Sequence, residues 1–201
     1  MTLRLRAPVR RRQLLQVAAD VFARRGYRGA STAELAAMAG VTEPILYRHF
    51  ESKRDLFVAV IDEAGERLVA SWRSELERLD DPGKRLAALL AAGLEPVGRQ
   101  VLLAAMIEAQ SDPAILAALR RHVDALTTLI DDELARLQEA GAVPPERSPR
   151  ALSRLLRSAA LGDAILAPLA RPGPREGSPA AVRTLLRELF EVEPRAVSSA
   201  P

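Results

Sequence analysis

The chain has 201 residues, 48% of them hydrophobic and 27% charged, so it is long and apolar enough to fold and is not expected to be disordered. It contains no cysteine, which excludes disulfides, thiolate metal sites and cysteine nucleophiles. The net charge is only +3, but residues 1–54 hold 11 Lys and Arg against 4 Asp and Glu. This basic N-terminal part predicts a polyanionic partner, either nucleic acid or an anionic membrane surface.

The first two predicted helices are marked by their start and stop residues. Pro8 opens a first helix whose apolar residues recur at spacings of three and four, and Gly26 is its expected end. Ser31 and Glu34 have the spacing of a capping box, which predicts a second helix that ends at Gly40.

The next two helices differ strongly in length. Thr42 is expected to cap a third helix, with Glu43 and Pro44 in its first turn, that runs to about Phe50. A second capping-box spacing at residues 52–55 then opens a long fourth helix to about residue 79. Two helices joined by a glycine-containing turn, the second of them short, predict a helix-turn-helix motif.

A helix-turn-helix motif places the N-terminal end of its second helix against base edges in the major groove. The residues at that end are Thr42, Glu43, Pro44 and Ile45. Glu43 could accept a hydrogen bond from cytosine N4 and Ile45 could touch a thymine methyl, with a helix cap and a solvated carboxylate as the alternatives. Thr32 and His49 could reach phosphate, or serve as a helix starter and a packed imidazole.

Three consecutive arginines precede this motif. Arg10, Arg11 and Arg12 form a charge run, and such runs are usually solvated. A position ahead of the first helix would also permit a flexible arm that reaches phosphate or the minor groove.

The stretch "STAELAAMAGVTEPILYRHFESKRDLF" resembles the DNA-binding segment of the TetR (tetracycline-repressor-like) family, and so does "LLQVAADVFARRGYRGAST" before it. The resemblance covers about residues 9–60 and implies a homodimeric transcriptional regulator, usually a repressor, that a small molecule releases from DNA. It also implies that Tyr47 and Lys53 contact phosphate, with a packing aromatic and a solvated lysine as the alternatives. The predicted DNA-binding residues are Thr32, Thr42, Glu43, Pro44, Ile45, Tyr47, Arg48, His49 and Lys53.

Five more helices are expected beyond residue 82, near 82–93, 96–110, 112–140, 148–168 and 178–192, separated by Pro- and Gly-containing breaks. The resemblance implies a ligand pocket among the first three of these and the long fourth helix. Candidate polar lining residues, each of which could instead be an exposed or internally paired side chain, are Trp72, Arg99, Gln100, Glu108, Gln110 and His122.

The last two predicted helices carry apolar stripes that are ordinary core faces in isolation. The resemblance implies that they pair with a second copy in a four-helix bundle. The residues of this predicted dimer interface are Leu152, Leu155, Leu156, Ala159, Val182, Leu185, Leu186, Leu189 and Phe190.

The sequence thus predicts an all-α protein of about nine helices. Residues 1–54 form a helix-turn-helix DNA-binding domain, residues 55–193 a helical ligand-binding and dimerisation domain, and residues 194–201 a disordered tail. We expect a cytoplasmic regulator, not an enzyme, because no catalytic or metal-ligand constellation is recognisable. We expect no cofactor, metal or membrane partner. The alternative is a non-catalytic helical scaffold or membrane-surface protein that uses its basic N-terminus electrostatically.

Overall fold

A computed structural model describes residues 7–91 and 95–166, and within these ranges it contains helices and no strand, which confirms the predicted all-α fold. The predicted helix at 178–192 and the tail at 194–201 lie outside the described residues. The described helices are α1 (Ala7–Gly29), α2 (Thr32–Met38), α3 (Glu43–Tyr47), α4 (Lys53–Glu77), α5 (Pro82–Ala91), α6 (Pro96–Glu108), α7 (Pro113–Glu139) and α8 (Pro149–Leu166).

The later helices begin in one recurring way. Helices α5, α6, α7 and α8 each start with a proline, and the residue before that proline accepts a hydrogen bond from a backbone N–H of the first turn. The acceptors are the side chains of Asp81, Glu95, Asp112 and Ser148. Proline suits this position because the first-turn N–H that it lacks would have no partner within the helix.

The N-terminal helices are capped and terminated largely as predicted. Ser31 Oγ accepts from the backbone N–H of Glu34 at 3.1 Å, and Gly26 and Gly40 have φ of 68° and 65° where α1 kinks and α2 ends. Glycine adopts this left-handed conformation without the strain of a Cβ. Two expectations for α3 are wrong: Thr42 makes no side-chain capping hydrogen bond, and the helix ends at Tyr47 rather than near Phe50.

The chain divides into two compact units. Of the described residues, unit 1 comprises 7–70 and 95–125, so it holds α1 to α3 together with α6 and parts of α4 and α7. Its core is centred on three rings: Phe57 lies 4.7 Å from Phe22 and 4.9 Å from Tyr27, between ring centroids. The predicted domain boundary after residue 54 falls inside unit 1 and stays a prediction.

Of the described residues, unit 2 comprises 71–91 and 126–166, and it packs α5, the end of α4, the second part of α7, and α8 around aliphatic side chains. Glu133 is only 2% exposed, and both of its carboxylate oxygens accept hydrogen bonds from Arg85. Arg85 Nη1 also donates to the carbonyls of Leu76 and Leu79, at 2.8 and 2.9 Å. Arg85 thus supplies the hydrogen bonds of a buried carboxylate, whose second cation, Arg136, lies 3.6 Å away.

The predicted dimer stripe on α8 divides into buried and exposed positions. Leu152 and Leu156 are each 8% exposed and belong to the unit 2 core, and Ala159 packs against that core. Leu155 is 41% exposed. The other predicted interface residues, Val182, Leu185, Leu186, Leu189 and Phe190, lie outside the described residues.

None of the eight helices given above is both long and apolar enough to cross a membrane.

Gly65 on α4 marks a very close approach to α7, because a Cβ built there would lie 2.2 Å from Cγ of His122. We expect Gly65→Ala to destabilise the protein by about 1 to 3 kcal/mol, since either the imidazole or the helix must shift. Urea unfolding would measure this change. Gly29→Ala, whose Cβ would meet Arg25 Cβ at an ordinary 3.6 Å, is the control.

Adding Gly65→Ala to a His122→Ala background should cost less stability than adding it to the natural chain, since the obstructing ring is then gone. An equal cost in both backgrounds would show that His122 is not the obstacle.

Candidate nucleic-acid interface

The helix-turn-helix motif is held from inside by aliphatic and aromatic side chains. Leu35 and Ala36 of α2 are buried, and Leu46 anchors α3 at 2% exposure. Phe50, just beyond α3, is also 2% exposed, and the guanidinium of Arg11 lies 5.0 Å from its ring centroid. Because Leu46 is turned inward, α3 can present its opposite side.

The predicted DNA-binding residues fall into two groups. Thr42, Pro44, Ile45, Tyr47 and Arg48 are exposed and lie on or beside α3. The others, Thr32, Glu43, His49 and Lys53, are half-buried. The exposed group offers a hydroxyl, a phenol, a guanidinium and apolar surface, which are groups that can contact phosphates and base edges.

Two members of the half-buried group bind each other. Thr32 Oγ1 donates a hydrogen bond to Oε2 of Glu43 at 2.7 Å. Thr32 is the first residue of α2 and Glu43 the first residue of α3, so this bond joins the beginnings of the two helices. Sequence reasoning had assigned each of them a separate contact with DNA.

Lys53, at the start of α4, is hydrogen-bonded within the chain. Its Nζ donates to the carbonyls of Tyr27 and Ala30, both at 3.0 Å, and lies 4.5 Å from the centroid of the Tyr27 ring. The lysine therefore supplies donors to backbone acceptors around the end of α1 and makes a cation–π contact. It ties the end of α1 to the start of α4.

The three consecutive arginines do not precede the first helix. Arg10, Arg11 and Arg12 lie within α1, which begins at Ala7, and Arg10 donates to Gln13 at 2.7 Å. The expectation of a flexible arm formed by these residues is therefore wrong, because helix formation starts ahead of them.

Acidic residues near the α6–α7 turn pair with the helix-turn-helix domain, which sequence reasoning missed. Arg28 Nε donates to both carboxylate oxygens of Glu108, at 3.0 and 3.3 Å, and Arg54 lies 3.9 Å from Asp112. Burial first, and then Asp112 and Glu108, raise the pKa of the Tyr27 phenol. The position of Glu108 in the sequence does indicate a cationic partner. Glu108 ends α6, where a carboxylate interacts unfavourably with the helix dipole unless a cation lies nearby.

The predicted ligand-lining residues are not gathered in one unit. Trp72 belongs to unit 2 and packs against its core, whereas the other five belong to unit 1. Within unit 1, Gln100 and Gln110 are exposed, and Arg99 is half-buried. His122 Nε2 lies 2.8 Å from Oδ1 of Asp62, and Arg121 donates to the same carboxylate at 2.7 Å.

Residues 14–60 match the family profile described as bacterial regulatory proteins, tetR family. Over 153 residues the chain is 35% identical to an HTH-type transcriptional repressor of Mycobacterium tuberculosis, covering 73% of this chain and 74% of that protein. Over 136 residues it is 33% identical to the HTH-type transcriptional activator FasR of Mycolicibacterium smegmatis, covering 66% of this chain and 62% of FasR.

A transcriptional regulator from Saccharomonospora viridis, solved in complex with choline, has a similar fold. The TM-score is 0.76 at 23% identity, and the match covers 89% of this chain and 94% of that one. At this identity the similarity concerns the fold alone.

We expect Lys53→Ala to lower the free energy of unfolding by about 1 to 3 kcal/mol, because the carbonyls of the half-buried Tyr27 and the buried Ala30 lose their donor. Chemical denaturation would measure the loss. Arg54→Ala at the next position is the matched control, since that side chain is 59% exposed and makes only a 3.9 Å ion pair.

Duplex binding at several salt concentrations would separate this role from a phosphate contact. If Lys53 acts only within the chain, the slope of log affinity against log salt stays unchanged in Lys53→Ala. A slope smaller by about one would indicate that its ammonium also neutralises a phosphate.

Proposed function

Because the chain belongs to the TetR family of DNA-binding transcriptional regulators, we propose that it acts as a homodimeric repressor that a small molecule releases from its operator. The main support for this proposal is the exposed surface of α3. Leu46 anchors the helix from inside, while Pro44, Ile45 and Tyr47 remain exposed on it. An exposed short helix in a helix-turn-helix motif is the element that enters the major groove.

The exposed side chains suggest a division of roles. Tyr47 and Arg48, near the end of α3, would donate to phosphates, whereas Thr42, Pro44 and Ile45, at its beginning, would face base edges. Thr32, His49 and the remaining N–H of Lys53 are further candidates for phosphate contacts. The membrane-surface alternative is not favoured, because the basic residues surround a DNA-reading motif in a family of DNA-binding regulators.

Two of the candidate ligand residues suggest how binding would reach the DNA-binding helices. Glu108 of α6 is bonded to Arg28 of α1, and His122 of α7 to Asp62 of α4. A ligand group that competes for Glu108 or His122 would break a link to α1 or α4. Repression is favoured over activation because the match to the repressor covers more of both chains than the match to the activator FasR. The choline complex shows that a protein of this fold can hold a small molecule.

The dimer would form through the outer face of α8 and the region predicted as helix 178–192.

We expect Leu155→Arg to give monomers that keep their helical content. Leu155 is exposed within a single chain, so the charge of the introduced arginine would be desolvated only in the dimer. Light scattering and circular dichroism would measure both properties. Leu152→Arg is the contrast: its charge would lie in the core, so we expect unfolding. A fully dimeric Leu155→Arg variant would exclude this face as the interface.

Release by a ligand has a reciprocal signature. Any compound that weakens operator binding must bind the DNA-bound protein less tightly than the free protein, by the same factor, typically about 5 to 150. Quaternary amines and a broad panel of metabolites and drugs would be screened by thermal shift. The protein would first be used to enrich a duplex that it binds from a random library. Each compound found by the screen would then be titrated calorimetrically into the free protein and into the protein bound to that duplex.

Equal affinities for the two forms would contradict release by that compound. If no compound in the screen stabilises the protein, a constitutive DNA-binding protein becomes the better description.

A further inference from the structure

The starting observation is the hydrogen bond between Thr32 and Glu43. At 2.7 Å between Oγ1 and Oε2, it has the short length of a hydroxyl that donates to a carboxylate, and such charge-assisted bonds are stronger than neutral ones. Glu43 is half-buried, whereas its neighbours Thr42, Pro44 and Ile45 are exposed. The carboxylate therefore faces α2, and the residues on either side of it face outward.

Helix α3 depends on contacts of this kind for its orientation. It has five residues, far fewer than the about 12 to 15 that an isolated helix needs to be even marginally stable. Thr42, at its N-cap position, makes no side-chain capping bond. Leu46 is the one buried residue within α3, with the packed Val41 before it and the buried Phe50 after it, and apolar contacts are non-directional, so they restrain rotation about the helix axis less strictly than a hydrogen bond does. A directional bond at Glu43 opposes that rotation.

We propose that Glu43 is a positioning residue: through Thr32 it fixes the rotation of α3 about its axis, and it does not itself read a base. This inference rests on the proposed binding of operator DNA by α3 and deepens it. The bases are read by the exposed neighbours of Glu43, and the carboxylate, which faces α2, determines how those neighbours meet the groove.

The test is a double-mutant cycle on DNA affinity. The natural chain first enriches duplexes from a random library, and the enriched duplex is then titrated with Thr32→Val, Glu43→Ala and the double variant. We expect each single variant to lose about tenfold to a hundredfold in affinity, and the double variant to lose no more than either single, because both changes break the same bond.

Two conservative variants distinguish positioning from a general loss of structure. Thr32→Ser keeps the donor and Glu43→Gln keeps an acceptor, so both should bind within about threefold of the natural chain. Repeating the enrichment with Glu43→Gln and Glu43→Ala should give the same preferred sequence as the natural chain, because the base-reading residues are unaltered.

Additive losses in the cycle would overturn the proposal, since they would mean that Thr32 and Glu43 act separately. A changed base preference in Glu43→Gln or Glu43→Ala at one half-site position would also overturn it, because Glu43 would then be reading that base. If the natural chain enriches no duplex at all, operator binding itself fails. In that case the proposed function falls with this inference, an outcome distinct from the other two.

Discussion

The DNA-binding motif depends on how the end of α1 is joined to the start of α4. Helices α2 and α3 lie between these two points in the sequence, so the joint determines where the motif begins and ends. Lys53 makes the joint by donating to the carbonyls of Tyr27 and Ala30, and the rings of Tyr27, Phe22 and Phe57 pack beside it. The ammonium of Lys53, two backbone carbonyls and a small aromatic cluster thus fix the positions of α1 and α4, between which α2 and α3 lie.

Features that depend on neighbours in the sequence could be predicted. The capping serine Ser31, the breaks at Gly26 and Gly40 and the opening of α1 around Pro8 follow from local backbone chemistry, and the structure has them. The helix-turn-helix motif was recognisable for the same reason. The length of α3 was overestimated, because tertiary contacts rather than propensity determine where so short a helix ends.

Pairings between distant residues could not be predicted. Arg28 and Glu108 are 80 positions apart, and Arg85 and Glu133 are 48 apart, so only the folded chain brings each pair together. The same limit applies to the site. Sequence reasoning identified the residues of α2, α3 and α4 but gave Thr32, Glu43 and Lys53 separate contacts with DNA, whereas the folded chain engages them with one another or with backbone carbonyls.

The paired acceptor and proline at the starts of α5 to α8 have a consequence for evolution and engineering. Because proline cannot extend a helix backwards into the preceding loop, each of these helices starts at a fixed residue regardless of the length of that loop. Val143 is fully buried with Leu152 and Leu156, so insertions in the segment before Ser148 are best placed between the exposed Pro145 and Glu146, where they change the connection without shifting the register of the helix that follows. Peptide tags or reporter domains inserted there should leave the packing of α8 in place.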